Sequence, residues 1–302
     1  MADDRPLLVV AGNCQAESFR LLLDAGDVRT QRMPALHELT PADVVDLHEL
    51  LSRADMMVAQ PTADDYRGLP VGTRQLRAVL PPSARVALVP SLRYAGLHPF
   101  HLLVHPPGLE RPDPPVVPYH DVRTVLAAAD ERAGRASRAP IELTAEGVRA
   151  VAAASVAELA RREREHGTVL VSDLFAAPTS GFMRTINHPG NAVLVPVAAR
   201  LRAALGLEPR GPISDRPLLA STHAPLLPEV VAAHGLDATS TTGWTIDGCP
   251  VTLSTVTAAH LAWYRERPEM LDAALTRVGP LVDLLVPGER RSRNRSASTT
   301  TR

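Results

Sequence analysis

The residue of this chain best placed to do covalent chemistry is Cys14. In "LLVVAGNCQAESFRLLLDAG" (7–26) an apolar run ends at Gly12-Asn13-Cys14-Gln15, where a helical pattern begins. A thiol at the start of a helix meets the positive end of the macrodipole and N–H groups with no helical partner, and both favour the thiolate. The same N–H groups can hold an oxyanion or a phosphate, and the side chains of Asn13 and Gln15 add donors beside them. Three readings of Cys14 are open on spacing alone: a nucleophile, a cofactor contact, or a small residue packed under the turn. Gly12 has no further glycines at the positions a dinucleotide-binding loop requires, which argues against a Rossmann cofactor.

Two histidine segments could supply a base. "PSLRYAGLHPF" (90–100) leaves Arg93, Tyr94 and His98 on the loop after a strand that ends near Ser91, with Gly96 allowing close backbone approach. His98, His101 and His105 invite a metal reading, but Pro99 and Pro106 bracket the run, so no helix aligns them and no metal is expected. In "INHPGN" (186–191) His188 precedes a proline-glycine turn and is a candidate general base, with Asp173 or Asn187 to orient it. Either histidine has a bland alternative, a loop imidazole bonded to nearby backbone. "RRERE" (161–165) reads as a solvated helix end, from which Arg161 could still clamp a phosphate.

These residues need a scaffold, and the first third of the chain describes one. Apolar runs "PLLVVAG", "ADMMVAQP" and "ARVALVPS" alternate with helical patterns, and "DVRTQRMP" is a candidate extra strand. Thr40 and Pro41 have the types of an N-cap and first helical residue. Continuous apolar strands separated by helices indicate a parallel sheet covered on both faces, which binds ligands beyond the carboxyl ends of its strands. Cys14, Gln60-Pro61 and Ser91–His98 all follow such ends. A long helix is expected over 144–166, stopped by Gly167, then a fifth strand in "TVLVSDLF" and a helix over 191–205. From Pro209 onward the pattern is mostly helical, and the final "GERRSRNRSASTTTR" reads as a disordered tail. The expected division is an α/β domain over 1–208, a mostly helical extension packed on it over 209–287, and the tail over 288–302.

Composition narrows the classes. A formal net charge of −1 provides no field for nucleic acid or anionic membrane. All 32 basic residues are arginine, so a lysine Schiff base or lysine base is excluded. Cys14 and Cys249 make no disulfide framework. With no signal-peptide pattern at the start and no apolar run of spanning length, the expectation is a cytoplasmic protein without membrane insertion.

"GNCQ", "QPTADDYR", "PSLRYAGLHP", "RRERE", "SDLF" and "INHPGN" occur together and in order from about Leu7 to Leu207. In this the chain resembles the WcbI-type polysaccharide-biosynthesis acetyltransferases. The resemblance implies an α/β three-layer sandwich with a mainly parallel central sheet, related to the SGNH/GDSL hydrolases. It also implies coenzyme A or acetyl-CoA as co-substrate and acetyl transfer to a sugar hydroxyl. Cys14 then stands where those hydrolases have their serine, and His188 or His98 is the base. Asn13, Gln15, Ser91, Arg93, Tyr94 and Arg161 would line the coenzyme site. The aspartate usual three residues before the histidine is here Thr185. Rival readings are an esterase or thioesterase using Cys14, and a non-catalytic coenzyme A-binding protein. The partners expected are acetyl-CoA and a carbohydrate acceptor, with a homo-oligomer left open and no nucleic acid.

Overall fold

The computed structural model describes residues 4–106, 113–136, 138–209 and 216–286. In chain order it begins with β1 (Leu7–Ala11), α1 (Ala16–Leu23), β2 (Arg29–Thr30), α2 (Pro41–Leu51), β3 (Met56–Ala59), α3 (Thr73–Val79) and β4 (Arg85–Leu88). Then come β5 (His101–Leu102), β6 (His120–Asp121), α4 (Val122–Arg132) and the long α5 (Ala145–His166). They are followed by β7 (Met183–Thr185), β8 (His188–Pro189), α6 (Asn191–Ala204), β9 (Thr222–His223) and α7 (Pro228–His234). The last elements are β10 (Gly243–Ile246), β11 (Cys249–Thr252), α8 (Leu253–Glu266) and α9 (Pro268–Leu285).

Two compact units alternate along the chain. The first takes Met1–Arg93, Val156–Ala177 and Asn187–Ala220; the second takes Tyr94–Ser155, Pro178–Ile186 and Ser221–Arg302. No single cut near residue 208 separates them. The expected tail over 288–302 lies outside the described residues.

The first unit is a parallel sheet in the order β2-β1-β3-β4. Its strands are apolar at every position of β1 and β3 because both faces are covered. Leu7, Val9 and Ala11 with Met57 and Ala59 join Val44, Leu47, Leu50 and Leu51 of α2 and Leu76 of α3 in one core cluster. Strand alternation turns Leu8, Val10, Met56 and Val58 to the opposite face, the side of the paired helices α1 and α6. This unit is therefore an α/β sandwich of three layers, as expected. Helix α2 starts as its sequence signals: Thr40 caps Asp43 N–H, Asp43 Oδ2 accepts from Thr40 N–H at 2.7 Å, and Pro41 opens the first turn. Buried Arg202 of α6 locks α1 in place, donating to Leu23 O at 2.6 Å and to the Asp27 carboxylate.

One expectation is corrected. The fifth strand does not form: Val169 N–H donates to Leu88 O at 2.8 Å, but the next residues turn into a short helical stretch, Ser172–Ala176. Glu163, buried near the end of α5, accepts the N–H groups of both Val171 and Ser172 at 2.7 Å, so neither is left for a ladder. "RRERE" is thus only partly a solvated face. The region after 209 carries α7, α8 and α9 and, beside them, an antiparallel sheet of β9, β10 and β11 in the second unit. Asp247 and Gly248, both at positive φ, close the β10–β11 hairpin, the conformation that Asp-Gly adopts most readily. Beside the sheet, α4, α8 and α9 share a core that includes Val122, Val125, Tyr264, Leu271, Ala274 and Val278. Among the described residues no helix is long and apolar enough to cross a membrane.

Candidate functional site

Ala11, Ala59 and Leu88 are aligned across β1, β3 and β4. Gly12–Cys14, Gln60 and Val89–Leu92 therefore leave the sheet side by side, on the edge where parallel sheets hold ligands. Hydrogen bonds join these three exits. Asn13 N–H donates to Gln60 Oε1 at 2.8 Å, and Asn13 Nδ2 donates to Ser91 Oγ at 2.9 Å. Gln15 N–H donates to Asn13 Oδ1 at 2.9 Å, an Asx turn that leads the chain into α1.

Gln15 has a different part from the coenzyme contact expected of it. Its side chain is fully buried; Nε2 donates to Leu92 O and Asn187 O at 2.8 Å, and Oε1 accepts from Gln60 Nε2 at 2.9 Å and Leu92 N–H at 3.0 Å. Both donors and both acceptor positions of the amide are engaged within the protein. Gln15 thus ties the Cys14 turn to the segment carrying Arg93 and to the one carrying His188. Gln60, which the sequence places at this edge without a role, is the second buried amide of the site. Its signal was a single amide directly after a wholly apolar strand, and it explains Gly12: a Cβ there would lie 2.6 Å from Gln60 Oε1.

Cys14 is a free, half-buried thiol. Burial pushes it above the ordinary cysteine range and the Glu38 carboxylate adds to the rise, while the N–H groups of Cys14 and Gln15 and the charge of Arg93 pull the other way. The net direction is upward, against the thiolate expected at a helix start, because desolvation outweighs what the local N–H groups return. Arg93 is exposed, and Ser91, Asn13 and His188 are half-buried. Asp173, one expected orienter of His188, gives both carboxylate oxygens to Arg200 at 2.6 and 2.7 Å. Arg161 is exposed and pairs with Glu158 at 2.8 Å and with Glu165, both on its own helix.

Tyr94, His98 and Thr185 belong to the second unit. Tyr94 is buried, and burial pushes its hydroxyl up to about 12; Gly96 packs so closely on its ring that a Cβ would come within 2.4 Å. His98 is buried with Nδ1 3.2 Å from Pro225 O and Nε2 3.2 Å from Met183 O. Thr185, in place of the expected aspartate, is buried with its hydroxyl 2.8 Å from Tyr119 OH. The nitrogens of His98 thus face backbone carbonyls, and Tyr94 is packed in the core rather than displayed as a wall. Among the described residues no three His, Cys, Asp or Glu side chains gather as metal ligands would.

Comparison with known proteins agrees with this architecture. A model of the family described as polysaccharide biosynthesis enzyme WcbI matches residues 7–210, two-thirds of the chain. One solved structure superposes with a TM-score of 0.71 over 96% of this chain and 98% of its own, at 18% identity. That structure is described as WcbI, a novel polysaccharide biosynthesis enzyme, in its native form without a disulfide bond between coenzyme A and a cysteine of that protein. At this identity the likeness shows the fold. No curated protein sequence matches.

Proposed function

Because the chain belongs to the WcbI family of polysaccharide biosynthesis enzymes, we propose that it is a coenzyme A-dependent O-acetyltransferase acting on a sugar or polysaccharide-precursor hydroxyl. The observation that carries the reading is the Asn13–Gln15 turn, with a thiol and polar side chains on the ligand edge of the sheet beside the cation of Arg93. The coenzyme A named for the similar solved structure supports the choice of acyl donor. Arg93, exposed at that edge, is the contact assigned to a coenzyme phosphate. The sheet order, with Cys14 after β1, is compatible with SGNH-like ancestry. Acetyl-CoA supply makes the cytoplasm the proposed location.

The chemistry needs a base to take the thiol or hydroxyl proton. We assign His188: Gln15 tethers its neighbour Asn187 to the Cys14 turn, whereas both His98 nitrogens face carbonyls in a buried setting. In the first step the Cys14 sulfur attacks the thioester carbon, its proton passes to His188, and the C–S bond to coenzyme A breaks as the departing thiolate takes that proton. In the second step the sugar hydroxyl gives its proton to His188 and attacks acetyl-Cys14, whose thiolate leaves and is reprotonated. The raised thiol pKa favours one alternative, direct attack of the sugar oxygen on acetyl-CoA with Cys14 lining the pocket.

The test is calorimetric titration with coenzyme A and acetyl-CoA, then intact mass measurement after incubation with acetyl-CoA. Micromolar binding, an acetyl increment on the wild type and none on Cys14→Ser would support the covalent route. Binding and turnover without an adduct would favour direct transfer. Coenzyme A release at the same rate with and without acceptor would point to a thioesterase, and no binding would sink the proposal.

A further inference from the structure

The backbone donors at the start of α1 are largely engaged. Asn13 N–H is held by Gln60 Oε1, Gln15 N–H by Asn13 Oδ1, and Ala16 N–H by Asn13 O at 2.9 Å. Cys14 N–H lies beside its own thiol, so an oxyanion forming on a thioester carbon there gains from a second, side-chain donor. The Asn13 carboxamide is built to provide it. Gln15 N–H fixes which end is Oδ1, so Nδ2 faces Ser91 Oγ, and that bond uses one of its two hydrogens. No described residue accepts the second. Asn13 and Ser91 are half-buried, within a ligand's reach, whereas Gln15 and Gln60 are buried behind them.

The geometry points to Asn13 as a catalytic residue, donating its second Nδ2–H to the thioester oxyanion, with Ser91 and Gln60 as the positioning residues that aim it. This rests on the acyl-transfer reading above and holds for either route. When a nucleophile bonds to the thioester carbon, the carbonyl electron pair moves to oxygen and Asn13 stabilises that charge. As the pair returns, the C–S bond breaks and coenzyme A leaves as thiolate. Ser91 accepts from the same nitrogen and so fixes the amide plane, while Gln60 fixes the backbone that carries it.

The experiment is steady-state coenzyme A release from acetyl-CoA in the presence of a panel of sugar acceptors, with calorimetric coenzyme A affinity and thermal melting for each variant. Asn13→Ala is expected to lower kcat by about 10²–10³-fold, as loss of one oxyanion donor does elsewhere, with KM for acetyl-CoA little changed. Asn13→Asp keeps the Oδ1 that orders the turn but lacks the donor, so it should lose at least as much even though it folds. Ser91→Ala and Gln60→Ala should each lower kcat by roughly 10-fold, again without a KM effect. If both Asn13 variants keep kcat within about 3-fold of an active wild type, the Asn13 assignment falls while the enzyme reading stands. A loss confined to KM or coenzyme A affinity also overturns it, reducing Asn13 to a binding contact. A wild type that binds coenzyme A but releases none from acetyl-CoA with the acceptor panel present removes the acyl-transfer reading itself.

Discussion

The Cys14 turn of the first unit and the imidazole stack of the second contain residues of equal chemical promise. In the second unit His101 stacks on Trp244 with centroids 4.9 Å apart and on His98 at 5.9 Å, and Tyr119 stacks on Trp244 at 5.6 Å. All four rings are buried, and Asp121, 3.9 Å from His101, is itself held by Arg123. In the Cys14 turn the buried amides of Gln15 and Gln60 are saturated, but the thiol, Asn13, Ser91 and Arg93 keep partial or full exposure. The difference is one of access: His101 Nδ1 lacks a hydrogen-bond partner among the described residues but is buried, whereas the Asn13 amide is reachable at the sheet edge. A histidine whose nitrogens face carbonyls contributes packing and order, while an amide with a donor left at a sheet edge can meet a substrate.

That contrast can be broken most directly at Cys14. Cys14→Ala should lower acetyl transfer by at least about 10³-fold while leaving the melting temperature near that of the wild type. Retained turnover would reduce the thiol to a lining group. The two histidines should then separate by observable. His188→Gln is expected to lower kcat by about 10²-fold or more at unchanged stability. His98→Gln should leave kcat within about 3-fold and lower the melting temperature by several degrees, since a buried, bonded group is lost. The reverse pattern would move the base to the second unit.

Acid should reveal the buried stack. Burial pushes His98 down to about 4 and His101 to about 3, from 6.5 in an exposed chain, despite the raising effect of Met183 O and Pro225 O on the former and of Asp121 on the latter. His98, His260 and Arg123 also bear on His101 as repelling charges. The unfolded chain then binds more protons than the folded one below pH 6.5. Stability from these residues is full above that value and is lost as pH falls through about 4. Urea titrations at stepped pH should show this slope, and His98→Gln should flatten it; an unchanged slope would mean that other groups carry it. The smallest effect is steric. Gly12→Ala should destabilise by roughly 1–3 kcal/mol by pressing on Gln60 Oε1, and Gln60→Ala in the same chain should return part of that. Strict additivity of the two changes would show that they do not meet.

Much of this was legible in residue order. The apolar runs that became β1, β3 and β4 needed no partner to be recognised, and the Thr40-Pro41 start of α2 was readable from local rules of capping. The Asp247-Gly248 hairpin was legible too, in a two-residue signal overshadowed by the helical pattern around it. The fifth strand was misread because Glu163, in an apparently solvated charged run, captures the N–H groups a strand would use.

What the sequence by itself determined is the set of chemical types and where they leave their strands: a thiol with flanking amides after β1, an amide after β3, a serine and an arginine after β4. Those follow from short-range pattern, since strand ends and helix starts are set by neighbouring residues. Only the tertiary structure decided which of them remain available. Whether Gln15 is saturated by Leu92 and Asn187, whether His98 meets Pro225 and Met183, and whether burial pushes the Cys14 thiol up depend on partners up to 172 residues away, and no local pattern encodes such distant contacts.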